Sequence, residues 1–166
     1  MAANVLRYAG PVQVFLVRHA DAIDETLALR DPHRHLTAAG REQARALGDR
    51  MRWYDCAPTH VWSSPLVRAV QTAELVVIGL QCTASVDVVP ALAPDGTVRE
   101  VVAALRALPD DAAVLVVGHE PALSAIGALL VDNPAFEALT KAQAARIVDG
   151  AVRWRFAWDA ESPTTD

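Results

Sequence analysis

Two short apolar runs constrain the fold of this chain more than any other feature. They are VQVFLV at residues 12–17 and AVLVV at residues 113–117. Both are rich in β-branched residues and almost free of polar ones, which is typical of strands buried on both faces of a parallel sheet. Because such a sheet needs helices on both faces, the two runs predict an α/β fold.

Helices and further strands are predicted between these runs. Residues 37–53 have apolar positions at helical spacing after a capping threonine, Thr37. A short strand at 59–63 leads into Ser64-Pro65, which is interpreted as the N-cap and first residue of a second helix. Thr97 to Glu100 has the pattern of a capping box before a third helix. A weaker strand is predicted at 85–88, and a fourth helix from about 121 to 130.

The C-terminal region predicts an antiparallel edge. Residues 143–148 and 151–158 have strand patterns and flank Asp149-Gly150, a strong hairpin signal. The fold class is therefore α/β, with helices on both faces of a mostly parallel sheet and an antiparallel edge. We expect one domain over residues 1–160, and the polar residues 161–166 predict a disordered tail.

Composition excludes several classes of protein. The net charge of −5 gives no basic face, so no nucleic-acid partner is predicted. The apolar stretch 112–131 contains His119 and Glu120, which would be costly in lipid, so we predict a strand, a turn and a helix there and no membrane partner. Residues 1–11 have no signal-peptide pattern. Cys56 and Cys82 are interpreted as free thiols, so a cytoplasmic location is expected.

Residues suited to phosphoryl chemistry follow three of the predicted strands. Arg18 and His19 follow the first, Arg68 lies about one helical turn after the second, and His119 follows the strand at 113–117. Ligands bind at the carboxyl ends of parallel strands, so we expect these side chains to converge there.

This residue set predicts a phosphoryl-transfer site. Guanidinium groups and helix N-termini match phosphate oxygens, and a neutral imidazole is a nucleophile. We therefore predict that His19 attacks and that Arg18, Arg68 and His119 hold the phosphoryl group. Positioning and electrostatics nearly suffice for such a transfer, and no side chains have metal-ligand spacing, so no metal or other cofactor is expected.

Three sequence blocks resemble those of the histidine phosphatase superfamily, also called phosphoglycerate mutase-like. LVRHADA resembles the R-H-G signature, SSPLVRAVQTAE resembles S-S-P-x-x-R-A-x-Q-T-A, and VVGHEPALS resembles the G-H block. The blocks occur in the family's order. The resemblance implies a covalent phosphohistidine intermediate on His19, a three-layer α/β/α sandwich and no metal.

Other segments most resemble the small bacterial phosphohistidine phosphatase branch, namely RHADA, DPHRHLTAAG and GHEP. In that branch an arginine before the L-T-x-x-G helix start contributes to the phosphate pocket, and Arg34 matches it. His35 stands where the branch usually has proline, and Ala20 stands where the superfamily usually has glycine.

Larger relatives have a carboxylate general acid after the third strand, but residues 89–96 (VPALAPDG) hold no glutamate. Asp21 and Asp95 are the candidate substitutes. An absent acid favours a substrate with a good leaving group, such as phosphohistidine.

The predicted function is removal of phosphate from phosphohistidine on a signalling or phosphotransfer protein, with inorganic phosphate as the product. One alternative is a phosphomonoesterase that acts on a small phosphorylated metabolite. The other is a phosphate-binding module without turnover. The sequence leaves the physiological substrate and the oligomeric state open.

Overall fold

The computed structural model describes residues 13–165. The strands are β1 (Gln13–Arg18), β2 (His60–Ser63), β3 (Val86–Val88), β4 (Ala113–Gly118), β5 (Gln143–Val148) and β6 (Ala151–Ala157). The α-helices are α1 (Ala38–Arg52), α2 (Val67–Leu80), α3 (Val98–Arg106) and α4 (Ala122–Val131). Two short 3-10 turns lie at Asp31–His33 and Pro90–Leu92. Residues 1–12 lie outside the described residues. Two predictions fall on them: the start of the first strand at Val12 and the absence of a signal peptide in residues 1–11.

The strands form one sheet in the order β3-β2-β4-β1-β5-β6. The first four strands of that order pair in parallel, whereas β5 pairs antiparallel with both β1 and β6. The predicted mostly parallel sheet with an antiparallel edge is therefore confirmed. Beyond β6, Thr164 exchanges two backbone hydrogen bonds with Arg155, so this part of the segment predicted to be disordered is paired with the sheet edge.

Helices cover both faces of this sheet. Phe15 and Val17 of β1 belong to a core with α1 and α2, whereas Val14 and Leu16 belong to a second core with α3 and α4. The alternation follows from the two-residue period of a strand. Both cores consist of buried apolar side chains, which explains why β1 and β4 do not alternate between apolar and polar residues. The three-layer arrangement agrees with the fold expected from the resemblance.

Close packing of α1 against α2 depends on two glycines. A Cβ atom on Gly48 would lie 2.3 Å from the carbonyl oxygen of Val76, and one on Gly79 would lie 2.5 Å from that of Arg45. Neither separation is possible for real atoms, so the two backbones can approach only because both positions lack a side chain. This packing fixes α2, the helix that carries Arg68.

The predicted helix starts are partly wrong. Thr37 caps α1 as expected, since its hydroxyl accepts from the Gly40 N–H. Ser64, however, is not the N-cap of α2: it continues the sheet by donating its N–H to the Val117 carbonyl, and the helix begins after Leu66. The Thr97 side chain makes no cap hydrogen bond at α3.

The apolar stretch at 112–131 forms β4 and α4, as predicted. Within the described residues, no helix is both long enough and apolar enough to cross a membrane.

Candidate active site

Three neighbouring strands end at one rim of the sheet and bring the two predicted histidines together. Arg18 pairs with Gly118 in the β1–β4 register, and the next N–H, that of His19, donates to the Gly118 carbonyl at 3.1 Å. His119 follows directly. The two imidazole ring centroids lie 5.1 Å apart. The convergence expected from the strand ends is therefore present in the structure.

His19 is held in the state that a nucleophile needs. Its Nδ1 lies 2.8 Å from the Ala20 carbonyl oxygen, which can only accept, so Nδ1 carries the proton and Nε2 keeps its lone pair. Burial is the main reason that the pKa of His19 falls to about 4, and the positive charges of Arg68 and Arg18 lower it further. The imidazole is consequently neutral near pH 7.

His119 is also buried and neutral. Its Nε2 lies 2.7 Å from the Ser64 hydroxyl, and its Nδ1 has no hydrogen-bond partner among the described residues. Burial lowers the pKa of His119 to about 3, and the nearby His19 and Arg68 lower it as well. A ring nitrogen in this position can bind an oxygen atom of a ligand.

Arg68 lies in the first turn of α2, and its guanidinium group binds Asp31. Its Nη1 donates to the backbone oxygen of Asp31 at 3.0 Å and lies 3.2 Å from Oδ1, while Nη2 lies 3.4 Å from Oδ2. Arg68 is 6% exposed, so this ion pair is largely shielded from water on the arginine side.

Asp31 also binds Arg34, and so connects two of the predicted phosphate ligands. Arg34 donates Nη1 to Asp31 Oδ1 at 2.9 Å and Nε to the Ile23 carbonyl at 2.6 Å. Burial raises the pKa of the Asp31 carboxyl, but hydrogen bonds and charges from Arg34 and Arg68 lower it more, so it is ionised. The carboxylate therefore bridges the two guanidinium groups.

Arg18 is oriented by the segment before β5. Its Nη1 donates to the Leu139 carbonyl at 3.0 Å, and the Leu139 N–H donates to Glu120 Oε1 at 3.0 Å. The other oxygen of Glu120 accepts from the Ser124 N–H and hydroxyl in the first turn of α4. Glu120 therefore caps α4 and also fixes the backbone of Leu139, whose carbonyl binds Arg18.

The other polar residues of the R-A-x-Q-T block hold the backbone around the site. Thr72 accepts from the Ala20 N–H at 3.1 Å, directly after His19. Gln71 accepts from the Leu36 N–H at 2.8 Å, two residues after Arg34. One face of α2 thus positions both the nucleophile and the Arg34 segment.

The two candidate general acids lie in different surroundings. Asp21 accepts from Lys141 Nζ at 2.9 Å and from the Thr37 hydroxyl at 2.9 Å. These bonds lower its pKa, so it is an ionised salt-bridge partner. Asp95 is exposed in the turn before α3. Between residues 13 and 165, no group of three or more His, Cys, Asp or Glu side chains could hold a metal ion.

Comparison with known proteins agrees with this geometry. Residues 14–93 match the family model described as the histidine phosphatase superfamily (branch 1). Over 112 residues the chain is 38% identical to the phosphohistidine phosphatase SixA of Escherichia coli strain K12, and the alignment covers 66% of this chain and 68% of that protein. The chain belongs to the histidine phosphatase superfamily.

Within this superfamily the chain is a SixA-like histidine phosphatase. A solved structure of the protein histidine phosphatase SixA complexed with tungstate superposes with a TM-score of 0.80 at 31% identity, over 88% of this chain and 97% of that one. A mycobacterial glucosyl-3-phosphoglycerate phosphatase shares the fold, with a TM-score of 0.58 at 19% identity over 81% of this chain and 88% of that one. The fold alone therefore does not fix the substrate.

Proposed function

We propose that this chain removes phosphate from phosphohistidine on a protein, with His19 as the nucleophile. Nε2 of His19 attacks the phosphorus atom, the P–N bond to the substrate breaks, and the substrate histidine leaves as neutral imidazole after taking a proton from solvent. Water then attacks phospho-His19 and releases inorganic phosphate, which regenerates the neutral imidazole. The observation that carries the proposal is a neutral, correctly oriented imidazole beside a cluster of positively charged donors.

The phosphoryl group would be held by the donors around His19. The Nε atoms of Arg18 and Arg68 and the Nδ1 atom of His119 are buried and have no hydrogen-bond partner among residues 13–165. Buried donors without partners are costly unless a ligand satisfies them, and an oxyanion is the ligand that suits guanidinium groups. Arg34 would join them once its contact with Asp31 loosens. Such donors stabilise the charge that develops on the transferring group, which is the main requirement of phosphoryl transfer.

A protein phosphohistidine is the substrate that best suits the carboxylates at the site. Asp21 and Asp31 are both held in the ionised form. Neither can protonate a leaving alkoxide, whereas imidazole leaves without such help. The relation to SixA supports the same substrate class. We also propose a cytoplasmic location, since Cys56 and Cys82 are both free.

The test is chemical trapping of the phosphoenzyme. Wild-type protein is mixed with a radiolabelled phosphohistidine protein, quenched in base and separated by electrophoresis. Rapid base-stable, acid-labile labelling should occur in the wild type and disappear in His19→Ala. His60→Ala, which removes a histidine from β2 outside the site, is the matched control and should label normally. Excess chelator should leave the rate unchanged.

Three outcomes would change the assignment. Labelling of His19→Ala at the wild-type rate would refute the nucleophile. Turnover of small alkyl phosphomonoesters faster than of the phosphohistidine protein would replace the proposed substrate with a small metabolite. Tight phosphate binding with no release from either substrate would indicate a binding module.

A further inference from the structure

The hydrogen bond between Ser64 and His119 lies wholly inside the protein. Ser64 has no exposed surface and His119 is 5% exposed. The Ser64 hydroxyl lies 2.7 Å from Nε2 of His119, and it accepts from the Leu66 N–H at 3.3 Å. These are its two hydrogen-bond partners among the described residues. Water does not reach this hydroxyl, so its bonding must be satisfied by these groups.

A count of protons decides the direction of this bond. A serine hydroxyl has one proton to donate and lone pairs to accept with. The Leu66 N–H can only donate to it. If Nε2 of His119 also donated, the buried hydroxyl proton would have no acceptor, which is unfavourable. If the hydroxyl donates to Nε2 instead, the Leu66 N–H, the Ser64 hydroxyl and Nε2 of His119 all have a partner of the right kind.

The direction of the bond fixes the tautomer of His119. A neutral imidazole carries one proton, so a ring that accepts at Nε2 must carry its proton on Nδ1. Nδ1 is the buried ring atom that has no partner within the described part of the chain. In this tautomer it offers a proton to a phosphoryl oxygen, whereas in the other tautomer it would direct a lone pair at an anion.

We infer that Ser64 is a positioning residue that holds His119 in the Nδ1–H tautomer, so that His119 donates a hydrogen bond to the transferring phosphoryl group. The inference rests on the proposed function for its catalytic consequence, but the tautomer itself is a property of the resting protein. Ser64 touches no substrate and acts only through His119. Neutral His119 suits this arrangement, because a doubly protonated ring would force the Ser64 hydroxyl to give up its donor bond.

The tautomer can be measured without any activity. Uniformly ¹⁵N-labelled protein is examined near pH 7 by long-range ¹H–¹⁵N correlation, which distinguishes a protonated ring nitrogen from one with a lone pair. His119→Gln assigns the resonances. We expect Nδ1 of His119 to be protonated and Nε2 to be unprotonated in the wild type. In Ser64→Ala the signals should shift toward the Nε2–H form or a mixture of the two.

Kinetics then test the consequence for catalysis. Ser64→Ala should lower the rate of His19 phosphorylation by about ten- to a hundredfold, the usual effect of removing a group that orients a functional histidine. Ser64→Thr, which keeps the hydroxyl, should recover most of the rate. Ser63→Ala removes the neighbouring buried hydroxyl, which donates to the Ser64 carbonyl and does not touch His119, and it should retain the rate and the wild-type tautomer.

The outcomes separate this inference from the proposed function. A wild-type His119 with its proton on Nε2 would overturn the inference whatever the activity. An unchanged tautomer and rate in Ser64→Ala would do the same. A wild type that has the Nδ1–H tautomer but releases no phosphate from any substrate would refute the proposed function and leave the role of Ser64 in fixing the tautomer intact.

Discussion

At the scale of single residues, the site consists of two histidines kept neutral among arginines. His19 and His119 are 7% and 5% exposed, and burial is the largest cause of the low pKa of each. The free lone pair on each ring thus results from desolvation, because a buried imidazole next to guanidinium groups does not take up a second proton at neutral pH. The same burial makes the stability of the protein depend on pH.

We predict that the free energy of unfolding falls as the pH drops from about 6.5 to about 4. In this window the unfolded chain protonates His19 and His119, whereas the folded chain does not until the pH reaches about 4 for His19 and about 3 for His119. The slope approaches about 1.4 kcal/mol per pH unit for each histidine. Urea denaturation at a series of pH values measures it.

Double replacement of both histidines by glutamine provides the control for this titration. The variant cannot titrate at either position, so its stability should vary much less between pH 4 and 6.5. An equal slope in the wild type and the variant would show that other groups cause the pH dependence. Asp21 and Asp31, whose pKa values are lowered, lose their stabilising contribution only at still lower pH.

Sequence reasoning finds some of these residues and misses others for a physical reason. Arg18, His19 and His119 follow strands directly, so the pattern alone predicts that they meet. Asp31 was missed because its contact with Arg68 joins a loop to a helix 37 positions away. The one available signal for Asp31 is that it lies three residues before Arg34, which has the opposite charge. The sequence predicts Ser64 to be a helix cap. Its bond to His119 cannot be predicted in the same way, because the two residues meet only through the order of the strands in the sheet.

At the scale of secondary-structure elements, the backbone of a single residue, Leu139, connects α4 to β1. The Leu139 N–H is bound by Glu120 at the start of α4, and the Leu139 carbonyl is bound by Arg18 at the end of β1. Glu120 therefore acts on the phosphate pocket through the backbone of a neighbouring segment. Arg18 has no other hydrogen bond that fixes its guanidinium group among the described contacts.

We predict that Glu120→Ala weakens oxyanion binding. Without the carboxylate, the Leu139 N–H loses its hydrogen-bond partner. The Leu139 carbonyl is then less well fixed, and Arg18, which binds it, loses its fixed orientation. The rise in melting temperature produced by tungstate should shrink, corresponding to about a tenfold loss of affinity for one misplaced charged hydrogen bond. Glu74→Ala, which removes an exposed glutamate on α2, is the control.

An unchanged tungstate effect in Glu120→Ala would show that Leu139 and Arg18 keep their positions without Glu120. A lower melting temperature in the absence of tungstate is expected in either case, because the variant also loses the cap of α4. For this reason only the difference between the two melting temperatures of each variant tests the prediction.

The elements themselves were largely predictable, but their order in the sheet was not. The hairpin at Asp149-Gly150 is confirmed, with positive φ at both residues, as a two-residue turn requires. Residue patterns report only which face is buried. They do not report that β4 inserts between β1 and β2, since that depends on pairing between strands distant in sequence.

At the scale of the whole molecule, an acidic protein concentrates arginines at one rim of its sheet. The chain has a net charge of −5, yet the positive charges of Arg18 and Arg68 act on both histidines, and Arg34 is joined to Arg68 through Asp31. The two carboxylates tied to this rim, Asp21 and Asp31, are both ionised. Under the proposed function, these residues would supply positive charge to the phosphoryl group, and neither carboxylate would supply a proton to the leaving group.

We predict that the rate of His19 phosphorylation falls steeply as the leaving group becomes more basic. Without a proton donor, negative charge builds up on the leaving oxygen in the transition state. A series of aryl phosphates with phenols of increasing pKa, followed before the steady state, measures this dependence. Asp95→Asn and Asp21→Asn should leave it unchanged. A flat dependence in the wild type would reveal a proton donor.

The position of β1 in the sheet also determines when the site can form during folding. Arg18 pairs with Gly118, about 100 residues later in the chain, and the Leu139 carbonyl that holds Arg18 comes later still. A growing chain on the ribosome therefore carries an unassembled His19 until these later segments have been synthesised. Pairings of such long range are slow to form. Phosphate can therefore bind to and stabilise only the last stage of folding, after the central strands that lead to the two histidines have paired.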